Sequence, residues 1–132
     1  MKTYYVYKEV GKAPEIIEIE ATREALAQAD TDFRKKCGSN GFIPNQIGKH
    51  QVTFDNIYMI CADDFHGKAE NFVITNGVGV QHVCGNVVFT KREFVGEDRL
   101  MVGMSKEDAE RVLKGFGMMI LDVVFDTQKI QP

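Results

Sequence analysis

The first forty residues contain two segments with strand-like patterns, followed by one with helical spacing. Thr3–Glu9 is rich in aromatic and β-branched residues, which predicts a strand. In Glu15–Glu20 isoleucines and glutamates alternate from the third position onward, which predicts a second strand that forms a hairpin with the first. Residues 23–36 have apolar side chains at helical spacing, with Thr22 suited to cap the start of a helix and Gly38 to end it.

The middle of the chain is poor in charge. Residues 41–90 hold six charged side chains in fifty positions, so we expect them to supply the buried part of a sheet. The segments predicted to be extended there are Phe42–Pro44, Val52–Cys61, Phe72–Thr75, Val78–Val83 and Gly85–Thr90. The segment ending at Pro44 can only be an edge strand, because proline has no backbone N–H to donate.

The C-terminal third is again rich in charge. Lys91–Arg99 is predicted to be a charged connection, and residues 105–116 a second helix with Ser105 as its cap. Met118–Phe125 fits either a last buried strand, which we prefer, or a continuation of the helix. The order of elements predicts a single α+β domain over residues 1–132, with a mostly antiparallel or mixed sheet and two helices at about 23–36 and 105–116.

Composition narrows the classes of protein to which the chain can belong. The 132 residues are 44% hydrophobic and 27% charged, with a net charge of −3, which indicates an ordered soluble domain and no nucleic-acid partner. A basic start followed by an apolar run is missing, as is an apolar stretch of about 20 residues, so neither a secretory signal nor membrane contact is expected. Cys37, Cys61 and Cys84 are odd in number and widely spaced, which is typical of free thiols in a reducing cytoplasm.

Two cysteines and two histidines form the candidate metal set, namely Cys61, His66, His82 and Cys84. Nitrogen and sulfur ligands suit tetrahedral zinc, although neither half has the Cys-x-x-Cys spacing of a zinc knuckle. Buried strand cysteines beside exposed turn histidines explain the same residues, and we prefer that explanation, so no cofactor is expected. Cys84 and His82 also have the composition of a nucleophile and its base, yet residues two apart on a strand lie side by side.

A polar turn after the strongest predicted strand is the best candidate site by position. Its members are Asp63, Asp64, Lys68 and Asn71. Carboxylates at the end of a strand can bind a divalent cation through their oxygen atoms. The alternative is a solvated turn in which the aspartates support local hydrogen bonds. We prefer this alternative because the sequence contains no ladder of alternating oxygen ligands there.

Several short motifs occur in an order that resembles one bacterial family. They are Ile60–Asp64 with Gly67-Lys68, then Asn71, then Val83–Phe89 and finally Met104–Asp108. Over about residues 4–113 the chain is similar to a family whose domain has no assigned function and which is common on phages and conjugative elements. This resemblance implies a fold and a genomic setting, and it does not imply an activity.

The residues and the resemblance together predict a non-catalytic accessory protein of a bacterial mobile element, which works in the cytoplasm by protein–protein contact. It would bind a partner protein or associate with itself through an edge strand near Tyr4–Tyr7, the Phe42–Pro44 segment or the apolar segment Met118–Phe125. The alternative is a small metal-dependent enzyme or a zinc-binding module. That alternative would use Cys61, His66, His82 and Cys84 together with Asp63 and Asp64.

Overall fold

Two helices and nine strands make up the described part of the chain. The computed structural model describes residues 1–38, 45–46, 57–62, 64–75, 80–95, 98–117 and 123–124. The elements in chain order are β1 (Lys2–Lys8), β2 (Glu15–Glu20), α1 (Arg23–Cys37), β3 (Asn45–Gln46), β4 (Ile57–Ile60), β5 (Glu70–Thr75), β6 (Val80–Cys84), β7 (Val87–Val95), β8 (Asp98–Gly103), α2 (Lys106–Gly117) and β9 (Val123–Val124). This composition confirms the predicted α+β class with two helices.

The strands form two antiparallel sheets. The main sheet has the order β2-β1-β7-β4-β3, and β8 pairs with the second half of β7. One edge of β7 pairs with β4 at residues 88–91, whereas its other edge pairs with β1 at residues 87–89 and with β8 at residues 91–95. The smaller sheet has the order β6-β5-β9. The long strand β7 therefore holds the main sheet together.

The main sheet is covered on both faces. On one face, Tyr5 and Tyr7 of β1 pack with Phe33 of α1, and the ring centroids of Tyr5 and Phe33 lie 4.8 Å apart. The opposite face carries Val6, which belongs to a core shared with α2 and with the smaller sheet, where Phe72 of β5 is fully buried. Because successive strand residues point to opposite faces, the central strands of a sheet covered on both faces carry apolar side chains at most positions. This pattern explains the charge-poor middle of the chain.

Both helices begin where the sequence predicts. The Thr22 hydroxyl accepts a hydrogen bond from the backbone N–H of Ala25 at 3.1 Å, and the Ser105 hydroxyl accepts one from Asp108 at 3.1 Å. Gly38 ends α1 in the left-handed conformation, with φ at 71°, and its N–H donates to the Arg34 carbonyl. These caps satisfy backbone groups that would otherwise have no partner at the helix ends. Among the described residues, no helix is long and apolar enough to cross a membrane.

Two sequence predictions about the strands are wrong. Lys91–Arg99 is not a connection, because β7 continues to Val95 and β8 begins at Asp98. Lys91 and Arg92 lie on β7 and find partners in other elements: the Lys91 ammonium is 3.0 Å from the Asp108 carboxylate, and the Arg92 guanidinium carbon lies 4.2 Å from the centre of the Tyr58 ring. The second correction concerns Tyr4–Tyr7, which does not lie at a sheet edge as predicted but between β2 and β7.

Other strand predictions are tested only in part. The predicted segment Phe72–Thr75 lies within β5, and residues 80–83 of the predicted segment Val78–Val83 lie within β6, which pairs antiparallel with β5. Val52–Cys61 contains β4 within its second half. In the Met118–Phe125 segment, Val123–Val124 forms strand β9. The remainder of that segment and all of Phe42–Pro44 lie outside the described residues.

Candidate functional site

The predicted polar turn connects β4 and β5. Asp63 lies outside the described residues, and Asp64 is exposed. The Asp64 carboxylate accepts a hydrogen bond from the backbone N–H of His66 at 2.9 Å, while the Lys68 N–H donates to the Phe65 carbonyl at 3.1 Å. An aspartate that bonds the backbone two residues further on is a common way to close a turn. The carboxylate thus acts within its own turn.

Lys68 extends from this turn to the end of α1. A Cβ atom built on Gly38 would lie 3.2 Å from the Lys68 ammonium nitrogen, and one built on Gly85 would lie 3.1 Å from Lys68 Cδ. The ammonium therefore sits beside the C-terminus of α1. The carbonyl groups at a helix C-terminus carry partial negative charge, so a cation at this position stabilises the helix.

Asn71 departs from the prediction, because it is buried instead of lying on the surface turn. Only 3% of the residue is exposed. Its amide nitrogen donates to the carbonyl oxygens of Lys8 at 2.9 Å and Gly85 at 2.8 Å, and its Oδ1 accepts from Lys8 Nζ at 2.7 Å. Buried polar groups are costly unless they are hydrogen-bonded, and these three bonds engage both ends of the amide. Asn71 therefore joins the smaller sheet to β1.

Lys8 is the buried cation of this cluster. It is 2% exposed, and its ammonium also donates to the Glu9 carbonyl at 3.0 Å. Burial lowers the pKa of Lys8, because the charged form loses its hydration. A cavity of about 240 Å³ lies beside it, lined by Lys8, Gly11, Lys12 and Ala13. The Lys12 ammonium is 2.9 Å from the Glu9 carboxylate, so both lysines of the cavity are already engaged.

The four residues of the candidate metal set lie in different surroundings. Cys61 is 1% exposed within the core, His66 is exposed in the β4–β5 turn, and Cys84 is half-buried at the end of β6. His82 is exposed and its Nδ1 contacts the Glu70 carboxylate. Across the described residues, no group of three or more His, Cys, Asp or Glu side chains is placed to hold a metal ion. The structure does not bring the four predicted ligands together.

Glu70 lies next to both His82 and Cys84. Glu70 is the cross-strand partner of Cys84, and a register shift follows it in β5. Burial and the nearby Glu70 carboxylate both raise the pKa of the Cys84 thiol. A raised pKa keeps the sulfur protonated, whereas a nucleophilic cysteine needs its thiolate. Glu70 lies twelve residues before His82, so only the β5–β6 pairing could have indicated this contact.

Among the strands that the structure describes, β2 forms an open edge of the main sheet. In the described part of the chain β2 pairs with β1 alone. The Ala21 N–H donates to the Met1 carbonyl at 2.9 Å, and Tyr4 exchanges two backbone hydrogen bonds with Met104 on the other side of β1. Because hydrogen-bonding direction alternates along an antiparallel strand, Ile17 and Ile19 turn their backbone groups toward β1.

The same alternation defines the residues that face outward. Ile16, Glu18 and Glu20 turn their backbone N–H and C=O groups away from β1, into the open edge. The side chains of Glu18 and Glu20 are 53% and 55% exposed. Within the described residues, these outward backbone groups have no hydrogen-bond partner in another element. We define the open edge as these three residues.

Comparison of the chain with protein-family models, with curated proteins and with solved structures found no match in any of the three. The resemblance to a bacterial family therefore stays a prediction.

Proposed function

We propose that this chain is a non-catalytic protein-interaction module that binds an extended segment of a partner protein by adding a strand to β2. The observation that carries the proposal is the open edge, where Ile16, Glu18 and Glu20 offer three N–H and three C=O groups. In strand addition, main-chain hydrogen bonds supply affinity and alternate side chains supply specificity. An edge of this kind is a ready template for a further strand.

The isoleucine side chains of β2 lie on both faces of the sheet, and on each face they offer apolar surface that an added strand would cover. Ile16 packs against the core shared with α2, and Ile17 and Ile19 pack against the core under α1. All three isoleucines are only half-buried. An added strand would cover the rest of their apolar surface, which contributes about 25 cal/mol for each Å² removed from water.

The surroundings of the candidate catalytic side chains support a non-catalytic function. His82 is engaged by Glu70, the pKa of the Cys84 thiol is raised, and Asp64 closes its own turn. The proposed setting is the cytoplasm of a bacterium that carries a mobile element. This setting is supported by the motif resemblance and by the three free thiols.

The proposal is tested with Glu18→Pro. The Glu18 N–H faces the open edge, so proline removes a donor that the added strand needs and no donor that β1 needs. Glu18→Gln is the matched control, because it loses the same charge and keeps the N–H. Tagged wild-type, Glu18→Gln and Glu18→Pro proteins are expressed in the cells that normally contain the chain. Proteins that become cross-linked to residues 15–20 are then identified by mass spectrometry.

We expect one partner protein to be cross-linked to wild type and to Glu18→Gln, and to be lost with Glu18→Pro at unchanged thermal stability. Purified partner should also slow hydrogen exchange at the Ile16, Glu18 and Glu20 amides. Equal capture by the proline variant would overturn the proposal. So would a protein that captures no partner and turns over a small molecule.

A further inference from the structure

Resting on the proposed function, we infer that the added strand is a basic segment of another protein and not a second copy of this chain. The observation is the charge on β2, where Glu15, Glu18 and Glu20 are all exposed. Lys2 of β1 lies 2.5 Å from the Glu20 carboxylate and 3.9 Å from that of Glu18. One ammonium thus faces two carboxylates, and the edge strand stays negative.

Geometry places this charge where a partner strand would lie. Ile16, Glu18 and Glu20 point to one face of the sheet, because side chains alternate along a strand. A strand added to the edge brings its side chains to within about 5 Å of those directly opposite. Lysine or arginine opposite Glu18 and Glu20 would therefore pair with them, and an apolar residue opposite Ile16 would extend its packing.

The residues of β2 define the sequence pattern that is expected of the partner segment. Antiparallel pairing is slightly more stable per residue than parallel pairing, so the partner is expected to begin opposite Glu20 and end opposite Ile16. Read in its own direction, the segment has the pattern basic, apolar, basic, apolar, apolar. The second and fourth residues face Ile19 and Ile17, which lie on the α1 side of the sheet.

The same charges disfavour a second copy. Two β2 strands paired edge to edge would bring six carboxylates into one ribbon, in which each chain supplies one Lys2 ammonium for Glu18 and Glu20, while Lys12 near Glu15 is already paired with Glu9. Like charges that lie opposite each other destabilise a strand pair, and charged edges are a common protection against self-pairing. We therefore expect this chain to be monomeric at low salt.

The test uses two synthetic peptides and the whole chain. One peptide is acetyl-Thr-Lys-Val-Lys-Val-Val-Thr-amide, and its control has both lysines replaced by glutamates. Each is titrated into isotopically labelled protein while the backbone amide signals of Ile16, Glu18 and Glu20 are followed by NMR. The charge-reversed variant Glu18→Lys/Glu20→Lys is titrated in parallel, because its preference should switch to the acidic peptide.

Each exposed ion pair changes affinity by a factor of about two to five, so the two pairs should make the basic peptide bind about 4–25-fold more tightly than the acidic one. This ratio should shrink toward one at about 1 M salt. Equal shifts of the three edge amides with both peptides would overturn the charge inference and leave the proposed function standing. If neither peptide shifts these amides, both fail. A wild-type dimer that dissociates in Glu18→Pro would overturn the inference in favour of a second copy.

Discussion

The Lys8 ammonium donates a hydrogen bond of 2.7 Å to Asn71 Oδ1, and the Asn71 amide nitrogen returns one of 2.9 Å to the Lys8 carbonyl. The two residues are 63 positions apart and belong to different sheets. A third bond, from Asn71 to the Gly85 carbonyl, reaches the connection between β6 and β7. One buried amide therefore fixes three segments relative to one another.

This arrangement predicts a large effect of Asn71→Leu. The change leaves the buried Lys8 carbonyl and the partly buried Gly85 carbonyl without the Asn71 donor, and the Lys8 ammonium without one acceptor. We expect the free energy of unfolding, measured with urea, to fall by about 2–4 kcal/mol. Lys8→Met should cost less in the Asn71→Leu background than in wild type, with a coupling of about 1–2 kcal/mol. Additive effects in this double-mutant cycle would contradict the link.

A second prediction concerns two glycines with similar backbone angles and different surroundings. Gly103 has φ at 73°, and a Cβ atom there would lie 2.2 Å from the Thr3 hydroxyl oxygen and 2.9 Å from the Tyr4 carbonyl oxygen. Gly11 has φ at 78° and open space around it. We expect Gly11→Ala to cost about 1–2 kcal/mol from the backbone alone, and Gly103→Ala to cost about 2 kcal/mol more. Equal melting temperatures for the two variants would show that β8 can move away from β1.

The third prediction is a loss of stability at alkaline pH. Burial raises the pKa of the Cys37 thiol to about 12 and that of the Tyr7 hydroxyl to about 12. The unfolded chain loses these protons near the ordinary pKa values, 9.0 for cysteine and 10.0 for tyrosine. The unfolded state therefore binds fewer protons than the folded state between about pH 9 and 12, so stability falls as pH rises through this window.

Cys37→Ala isolates the contribution of the thiol. Between pH 9 and 12, the stability of Cys37→Ala should fall less steeply than that of wild type, by about 1.4 kcal/mol per pH unit. This difference in slope does not depend on how the substitution changes stability at pH 7. Lys8 acts in the opposite direction, because its lowered pKa makes stability rise with pH below its ordinary value of 10.5. Urea unfolding at several pH values measures both slopes, and an unchanged slope in Cys37→Ala would refute the assignment.

The fourth prediction concerns thiol reactivity. Cys37 and Cys61 are 2% and 1% exposed, so a thiol reagent such as Ellman's reagent should not reach them in the native protein. Cys84 is half-buried and should react slowly. Three thiols should titrate after unfolding in urea. Burial is the larger cause of the raised pKa of Cys84 and the Glu70 carboxylate adds to it, so Glu70→Gln should lower this pKa and make labelling at pH 8 a few-fold faster.

Cys84→Ser provides the control for this experiment, since its native form should then show no reactive thiol. Native labelling of Cys37 or Cys61 at the rate seen in urea would contradict the described core.

The sequence carries most of the information about local structure. Thr22, Gly38 and Ser105 signal the helix ends because a cap bonds the backbone only a few residues away. The β1–β2 hairpin could also be predicted, because the alternating isoleucines and glutamates of β2 indicate a strand with one buried face. The prediction that Lys91–Arg99 is a connection is wrong because a run of charged residues is typical of a loop. Lys91 and Arg92 instead belong to strand β7, and their charged ends reach Asp108 and Tyr58.

What the sequence alone determined is therefore the α+β class, the two helices and the apolar strands that fill a sheet covered on both faces. Only the tertiary structure decided that Asn71 is buried against Lys8, that Glu70 engages His82, and that β2 instead of β1 lies at the open edge. Caps and periodicity depend on neighbours three or four residues away, which the sequence displays directly. Strand order and cross-sheet contacts join residues that are far apart in the chain, and no short pattern records which distant strand a segment will pair with.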